Sequence, residues 1–118
     1  MKKIEKPWGH EILFAETPHY AGKIMAVRKG ERLSLQYHER KDETLYLYSG
    51  RLMLYLGADE QGGSEMEMSA GDAQRVAPGE VHRITALEDC VLFEVSTPHL
   101  DDVVRLQDDH GRAERKKS

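Results

Sequence analysis

A chain of 118 residues can bury one hydrophobic core without disulfide bonds, and its single cysteine excludes an intramolecular disulfide. Its 17 Lys and Arg residues are interspersed with 21 Asp and Glu residues, and the net charge of −4 argues against nucleic acid as a partner. The sequence shows no signal-like apolar segment near Met1 and no run of about 20 apolar residues, so we expect a cytoplasmic protein without a membrane partner.

Short strands separated by turns are predicted along most of the chain. Segments rich in apolar or β-branched residues recur about every ten residues between Gly, Pro or polar turn formers. The predicted strands are 10–15, 23–28, 33–38, 43–48, 51–56, 73–76, 81–85 and 90–95. The alternation over 65–68 is typical of an edge strand with one wet face, and Ser49-Gly50 predicts a tight hairpin turn. The pattern predicts an all-β sandwich or barrel.

The domain organisation follows from the same pattern. Residues 1–111 are predicted to form one domain, because no repeat or linker interrupts the succession of strands. Residues 112–118 are almost wholly polar and are predicted to be a disordered tail.

Four polar side chains are predicted to converge on a metal ion. Gln36 and His38 lie two residues apart and therefore project from the same face of one strand. Glu43 has an odd offset from His38, but a hairpin at 39–42 would bring it onto a neighbouring strand facing inward. His82 begins another strand and can supply a fourth ligand. Mixed nitrogen and oxygen ligands suit Zn, Mn, Fe, Ni or Co, and the sequence does not choose among them.

The spacing of these residues resembles the two motifs of the cupin superfamily, G-x5-H-x-H-x4-E-x6-G and G-x5-P-x-G-x2-H-x3-N. The first motif begins at Gly30 and contains Gln36 in place of the first His, followed by His38 and Glu43. The second contains His82, with Ala where Pro and Asn are usual. The resemblance implies a single-domain cupin, a jelly-roll barrel also called a double-stranded β-helix.

A narrower resemblance, spanning nearly the whole chain, is to the isomerase domain of type II mannose-6-phosphate isomerases. It rests on the segments 6–9, 30–38, 78–83 and 101–112. The chain departs from that family over 39–45, where the family usually has His-His-Arg-Ala-Glu-His-Trp. The Gln at position 36 is the family's own pattern.

The resemblance implies a metal-dependent aldose–ketose isomerase that acts on a sugar phosphate through an enediol. A divalent metal would stabilise the developing oxyanion as a Lewis acid, and a side chain near the ligands would act as base. The sequence leaves the catalytic base unassigned among His10, His19, His99, Glu80 and Glu94.

A phosphate group calls for Arg or Lys at the mouth of the site, because a guanidinium can engage two oxygens at once. The predicted substrate- or phosphate-binding residues are Arg83, Arg32, Arg75 and Arg105. Arg83 is favoured because it adjoins His82 in the family's His-Arg pair.

Two other functions fit the same residues. Two His and a carboxylate are also the ligand set of iron-dependent oxygenases, and a cupin can bind a sugar or a metal without catalysis. Alternating Leu and Tyr over 45–48 makes the face away from the metal apolar as well. Either the N-terminal strands or a second copy of the chain must cover that face, and we predict a homodimer.

Overall fold

Eleven strands make up the fold in a computed structural model, which describes residues 1–112. The strands are β1 (Lys2–Lys6), β2 (Gly9–Glu16), β3 (Ala21–Val27), β4 (Leu35–Tyr37), β5 (Glu43–Ser49), β6 (Arg51–Gly57), β7 (Ser64–Ser69), β8 (Ala73–Val76), β9 (Val81–Ala86), β10 (Cys90–Ser96) and β11 (Val104–Gln107). The all-β prediction is confirmed, and each predicted strand is present. The segment 33–38 contributes only three residues to a strand, and β1 and β11 were not predicted. No helix among residues 1–112 is long and apolar enough to span a bilayer.

The strands form two antiparallel sheets. The six-stranded sheet has the order β1-β2-β3-β10-β5-β8, and the five-stranded sheet has the order β11-β4-β9-β6-β7. Strand β7 lies at an edge, as its alternation predicts, with Met68 buried and Glu67 exposed. Strands β1, β2 and β3 extend the first sheet sideways, beside β10 rather than over its outer face.

The inward faces of the two sheets enclose a core at one end and a polar cavity at the other. Leu45 and Leu47 of β5 pack with Leu52 and Leu54 of β6 and Leu92 of β10, and all five side chains are buried. Because side chains alternate along a strand, Glu43 faces inward with Leu45 and Leu47, as predicted. This alternation brings a carboxylate into the interior.

Two predicted hairpins are corrected by the topology. The 39–42 segment connects β4 of the five-stranded sheet to β5 of the six-stranded sheet, and Ser49-Gly50 connects β5 to β6 across the same gap. Both turns are therefore corners between sheets. Turn-forming residues signal a reversal of the chain but not the sheet that the next strand joins.

The predicted tail 112–118 lies, apart from Arg112, outside the described residues. Arg112 donates hydrogen bonds to the Asp108 carboxylate through both its backbone N–H and its guanidinium.

Gly50 is the corner at which replacement should be most costly. Its φ is +90°, and a Cβ there would overlap the carbonyl oxygen of Asp89. Gly71 has a similar φ of +98° but no atom within 4 Å of its Cβ position. We expect Gly71→Ala to lower the free energy of unfolding by about 1 kcal/mol and Gly50→Ala by about 3 kcal/mol, because only Gly50→Ala adds a steric clash to the backbone strain. Urea denaturation measures both, and equal losses would contradict the corner geometry.

Candidate metal centre

Three buried side chains from both sheets meet at one point. Glu43 begins β5, His38 follows β4, and His82 is the second residue of β9. One ligand atom from each lies within 4.8 Å of the others. The Nε2 atoms of His38 and His82 are 3.2 and 3.3 Å from the same oxygen, Glu43 Oε1. These residues form a group that can hold a metal ion.

The hydrogen bonds of the two imidazoles orient them as metal ligands. His38 Nδ1 is 2.6 Å from the carbonyl oxygen of Asp102, and His82 Nδ1 is 3.0 Å from that of Glu80. A carbonyl oxygen only accepts, so each Nδ1 donates to its carbonyl and each Nε2 is directed at Glu43 Oε1. Lone pairs on these nitrogens would repel those of the carboxylate oxygen, so the arrangement requires a proton or a cation between them. The donor set fits a divalent transition metal at that point.

The second oxygen of Glu43 also fits a metal ligand. Glu43 Oε2 is buried without a hydrogen-bond partner among residues 1–112, although Lys41 Nζ lies 3.3 Å away outside hydrogen-bonding geometry. Burial would raise the pKa of the Glu43 carboxyl, but contacts with the two imidazoles and the charge of Lys41 outweigh burial and hold the pKa well below its usual range. The carboxylate is therefore ionised and ready to bind a cation.

A buried ion pair supports Glu43 from behind. Lys41 Nζ donates a hydrogen bond of 2.8 Å to Glu94 Oε2, and both side chains are less than 10% exposed. Burial, followed by the negative charge of Glu43, raises the pKa of Glu94 to about 7. Lys41 thus lies between two carboxylates and limits their repulsion.

Gln36 lies beside the three-residue group. It is directly opposite His82 on the neighbouring strand, and its side chain is on the cavity face. Ser34 Oγ donates a hydrogen bond of 2.5 Å to Gln36 Oε1, which orients the amide and leaves that oxygen a second lone pair. Its role as a fourth ligand stays a prediction.

Asp102 fixes the segment between the ligands from two directions. Its carbonyl accepts the His38 Nδ1 proton, and its carboxylate accepts backbone N–H bonds from Glu39, Arg40 and Lys41 at 3.0, 2.7 and 2.9 Å. Sequence reasoning missed this residue, because its partners lie more than 60 positions away in the chain. No local pattern announces such a contact.

A cavity of about 580 Å³ lies between the sheets and contains the metal group. Among the described residues, seven cationic side chains and five carboxylates line it, and two of the seven, Arg83 and Arg112, pair with Asp109 and Asp108 outside the lining. The cationic residues are Lys2, Lys6, Lys23, Lys41, Arg83, Arg105 and Arg112. The cavity therefore offers several cationic donors to an anionic group of a small ligand.

Of the four predicted anion-binding arginines, two line the cavity. Arg83 donates to the Leu33 carbonyl and to Asp109, while Arg105 has a buried Nε without a partner among residues 1–112. Arg32 and Arg75 lie outside the cavity lining. Each forms a two-pronged ion pair, Arg32 with Asp109 and Arg75 with Asp42, which directs its guanidinium elsewhere.

Glu94 alone among the five candidate bases lines the cavity. Glu80 accepts a hydrogen bond from the backbone N–H of Ala77, His99 contacts Thr97, His10 lies on β2 away from the cavity, and His19 is in an exposed turn.

Comparison with known families and structures identifies the fold. The family model described as the cupin domain matches residues 23–99, about two thirds of the chain, and this range contains the whole metal group. A search of curated proteins finds no significant match.

Solved structures agree. KdgF from a Halomonas species is 23% identical, with a TM-score of 0.75 over 86% of this chain and 91% of that one. The S161A mutant of the oxalate decarboxylase OxdC from Bacillus subtilis is 21% identical, with a TM-score of 0.77 over 90% of this chain but only 30% of that one. A double-stranded β-helix protein from Klebsiella pneumoniae is 19% identical, with a TM-score of 0.69 over 97% and 86% of the two chains. These likenesses confirm the predicted jelly-roll fold.

Asp102 generates a test of the site's framework. The Asp102→Ala substitution removes an acceptor from three backbone N–H groups, and we expect the free energy of unfolding to fall by about 1–3 kcal/mol at pH 7. Asp101→Ala, at an exposed neighbouring position, is the matched control and should change little. Urea denaturation measures both variants.

The same contact predicts a pH dependence. Burial would raise the pKa of Asp102, but the three N–H donors outweigh it and lower the pKa below its ordinary 3.8. A carboxyl whose pKa is lower in the folded state stabilises fully above its unfolded pKa and loses that contribution as the pH falls through the folded value. The difference between wild type and Asp102→Ala should therefore shrink below about pH 4. A difference that stays constant to pH 2 would contradict this assignment.

Proposed function

Because this chain belongs to the cupin family, and because its buried metal group opens into a cavity lined by several cationic side chains, we propose that it is a metal-dependent isomerase of sugar phosphates. The convergence of His38, Glu43 and His82 carries the proposal. A divalent metal bound there would act as a Lewis acid on a carbonyl and hydroxyl of the sugar. The resemblance to type II mannose-6-phosphate isomerases makes mannose 6-phosphate the substrate to test.

The chain's own residues would orient the sugar. Arg105, Gln36 and His82 lie in one row across β11, β4 and β9, because each is paired directly with the next. Neighbouring strands are about 4.8 Å apart, so the backbone of Arg105 is about 10 Å from the backbone of His82. Arg105, whose Nε has no partner within residues 1–112, and Arg83 would hold the phosphate while the carbonyl end lies at the metal group.

An oxygen-dependent reaction is the second candidate. Two His and one carboxylate form the ligand set of non-haem iron oxygenases, and His38, Glu43 and His82 reproduce that set. A fourth ligand at Gln36 would occupy one of the positions that a three-ligand site leaves open, which argues modestly for isomerisation.

The first experiment is a proton NMR assay in deuterated water. Mannose 6-phosphate and fructose 6-phosphate are incubated with the protein loaded separately with Zn, Mn or Co. We expect metal-dependent interconversion with deuterium exchange, and a loss of at least a hundredfold in His82→Ala. His19→Ala, in an exposed turn, is the matched control and should retain activity.

The controls separate the alternatives. Stoichiometric metal binding without turnover of either sugar would contradict the isomerase and favour a binding role. Oxygen consumption by the Fe-loaded protein would favour the oxygenase.

We also propose that the active form is a homodimer formed through the outer face of the six-stranded sheet. Tyr48, Val95 and Tyr46 are 61, 56 and 41% exposed on that face, and Phe93 stacks on Tyr46. Strands β1–β3 do not cover this patch, since they lie beside it in the same sheet. An apolar patch of this kind is typical of a protein interface.

Light scattering at micromolar concentration tests the dimer. We expect twice the chain mass of 13.5 kDa for wild type and a monomer for Tyr48→Glu, which buries a charge in the interface. Tyr20→Glu, at an exposed position in a turn, is the control and should remain dimeric. A wild-type mass of one chain would refute the proposal.

A further inference from the structure

The inner wall of strands β1–β3 carries three lysines that the metal group and the arginine row leave unused, Lys2, Lys6 and Lys23, and two of them, Lys6 and Lys23, contact Glu11. We propose that Lys6 and Lys23, with Glu11 between them, form a second anion subsite, which takes a carboxylate or phosphate group of a small molecule in the cavity. The subsite lies on the sheet opposite to Arg105. It rests on the proposed function only in taking the cavity as the substrate site.

The two ammonium groups are incompletely satisfied. Lys6 Nζ and Lys23 Nζ lie 3.8 and 3.4 Å from the same atom, Glu11 Oε1, and these distances exceed the roughly 2.8 Å of a charge-assisted hydrogen bond. The Lys41–Glu94 contact in the same cavity reaches 2.8 Å. Each ammonium has three N–H donors, so Lys6 and Lys23 retain donors that a ligand can use.

Burial makes these free donors significant. The side chains of Lys6 and Lys23 are only 24 and 15% exposed, and that of Glu11 is 8% exposed. Among residues 1–112, Glu11 is the only carboxylate within 4 Å of the two ammonium groups, and Glu94, directly opposite Lys23, is hydrogen-bonded to Lys41. Two positive charges therefore share one close carboxylate in a region with little access to water. Such a charge is costly unless an anion pairs with it.

The position of Lys23 suits a ligand that also reaches the metal group. Lys23 on β3 is paired directly with Glu94 on β10, which is paired with Leu45 on β5, two residues beyond Glu43. Two strand spacings separate β3 from β5, or about 10 Å. A small molecule held at the metal group can therefore place an acidic group against Lys23.

The two walls together specify a substrate class. Arg105 and Lys23 each lie about two strands from the metal group, but on different sheets. A ligand that used both walls would carry two acidic groups, as a phosphorylated sugar acid does. The inference thus extends the proposed substrate from phosphates of neutral sugars to phosphates of sugar acids, which also carry a carboxylate.

An NMR titration of the ¹⁵N-labelled full chain, purified without added metal, tests the subsite. Inorganic phosphate and acetate are added in separate arms, and the amide signals of Lys6, Glu11 and Lys23 are followed. We expect saturable shifts at these positions. The dissociation constants should be at least tenfold larger in Lys23→Met and in Lys6→Gln than in wild type. Lys3→Gln, on the opposite face of β1 and 58% exposed, is the matched control and should bind like wild type.

The outcomes separate this inference from the isomerase proposal, because binding is measured without metal or turnover. Tighter binding of phosphate than of acetate would assign the subsite to a phosphate group, and the reverse would assign it to a carboxylate. Absence of saturable shifts in both arms, or shifts that persist unchanged in both lysine variants, would overturn the inference. Lys6→Gln keeps Glu11 paired with Lys23, so it provides a test even if Lys23→Met does not fold.

Discussion

The convergence of His38 and His82 on a single oxygen of Glu43 is the constraint around which the interior of this molecule is organised. Two imidazole nitrogens are directed at one ionised carboxylate oxygen, and each ring is held in that direction by a backbone carbonyl. Because Glu43 belongs to one sheet and the histidines belong to the other, a cation at this point would join the sheets. Metal binding would therefore stabilise the folded barrel as well as prepare it for chemistry.

The interior has to serve two opposed requirements. At one end, leucines from both sheets exclude water completely, which stabilises the fold. At the other end, two charged residues are also buried. Lys41 lies in the connection before β5, and Glu94 lies on β10. Burying these charges is costly, and their mutual pairing offsets that cost only while both partners remain. The free energy gained by burying the leucines therefore offsets the cost of the buried charges in the cavity.

The sequence predicted the centre of the site better than its surroundings, for physical reasons. The positions of His38, Glu43 and His82 follow from strand alternation and fixed spacing, both of which are local. The 39–42 turn and Ser49-Gly50 were misassigned as hairpins because joining one sheet or the other depends on contacts distant in sequence. Arg75 and Asp42 illustrate the same limit, since their ion pair joins β8 to the residue before β5, and no local pattern predicts that β5 and β8 pair. The sequence indicated Lys6 and Lys23 only weakly. Each is a charged residue whose neighbours two positions away, on the same face, are apolar.

The two contacts of Asp102 differ in the mutations that they tolerate. Its carboxylate shapes the 39–41 segment and so depends on the identity of the side chain. The bond to His38 comes from the main chain, which every residue possesses, so it depends only on the path of the backbone. Substitutions in this connection would leave the imidazole in place, whereas an insertion or deletion would rotate it. This hydrogen bond to His38 therefore depends on the length of the connection between β10 and β11, not on the identity of the residues in it.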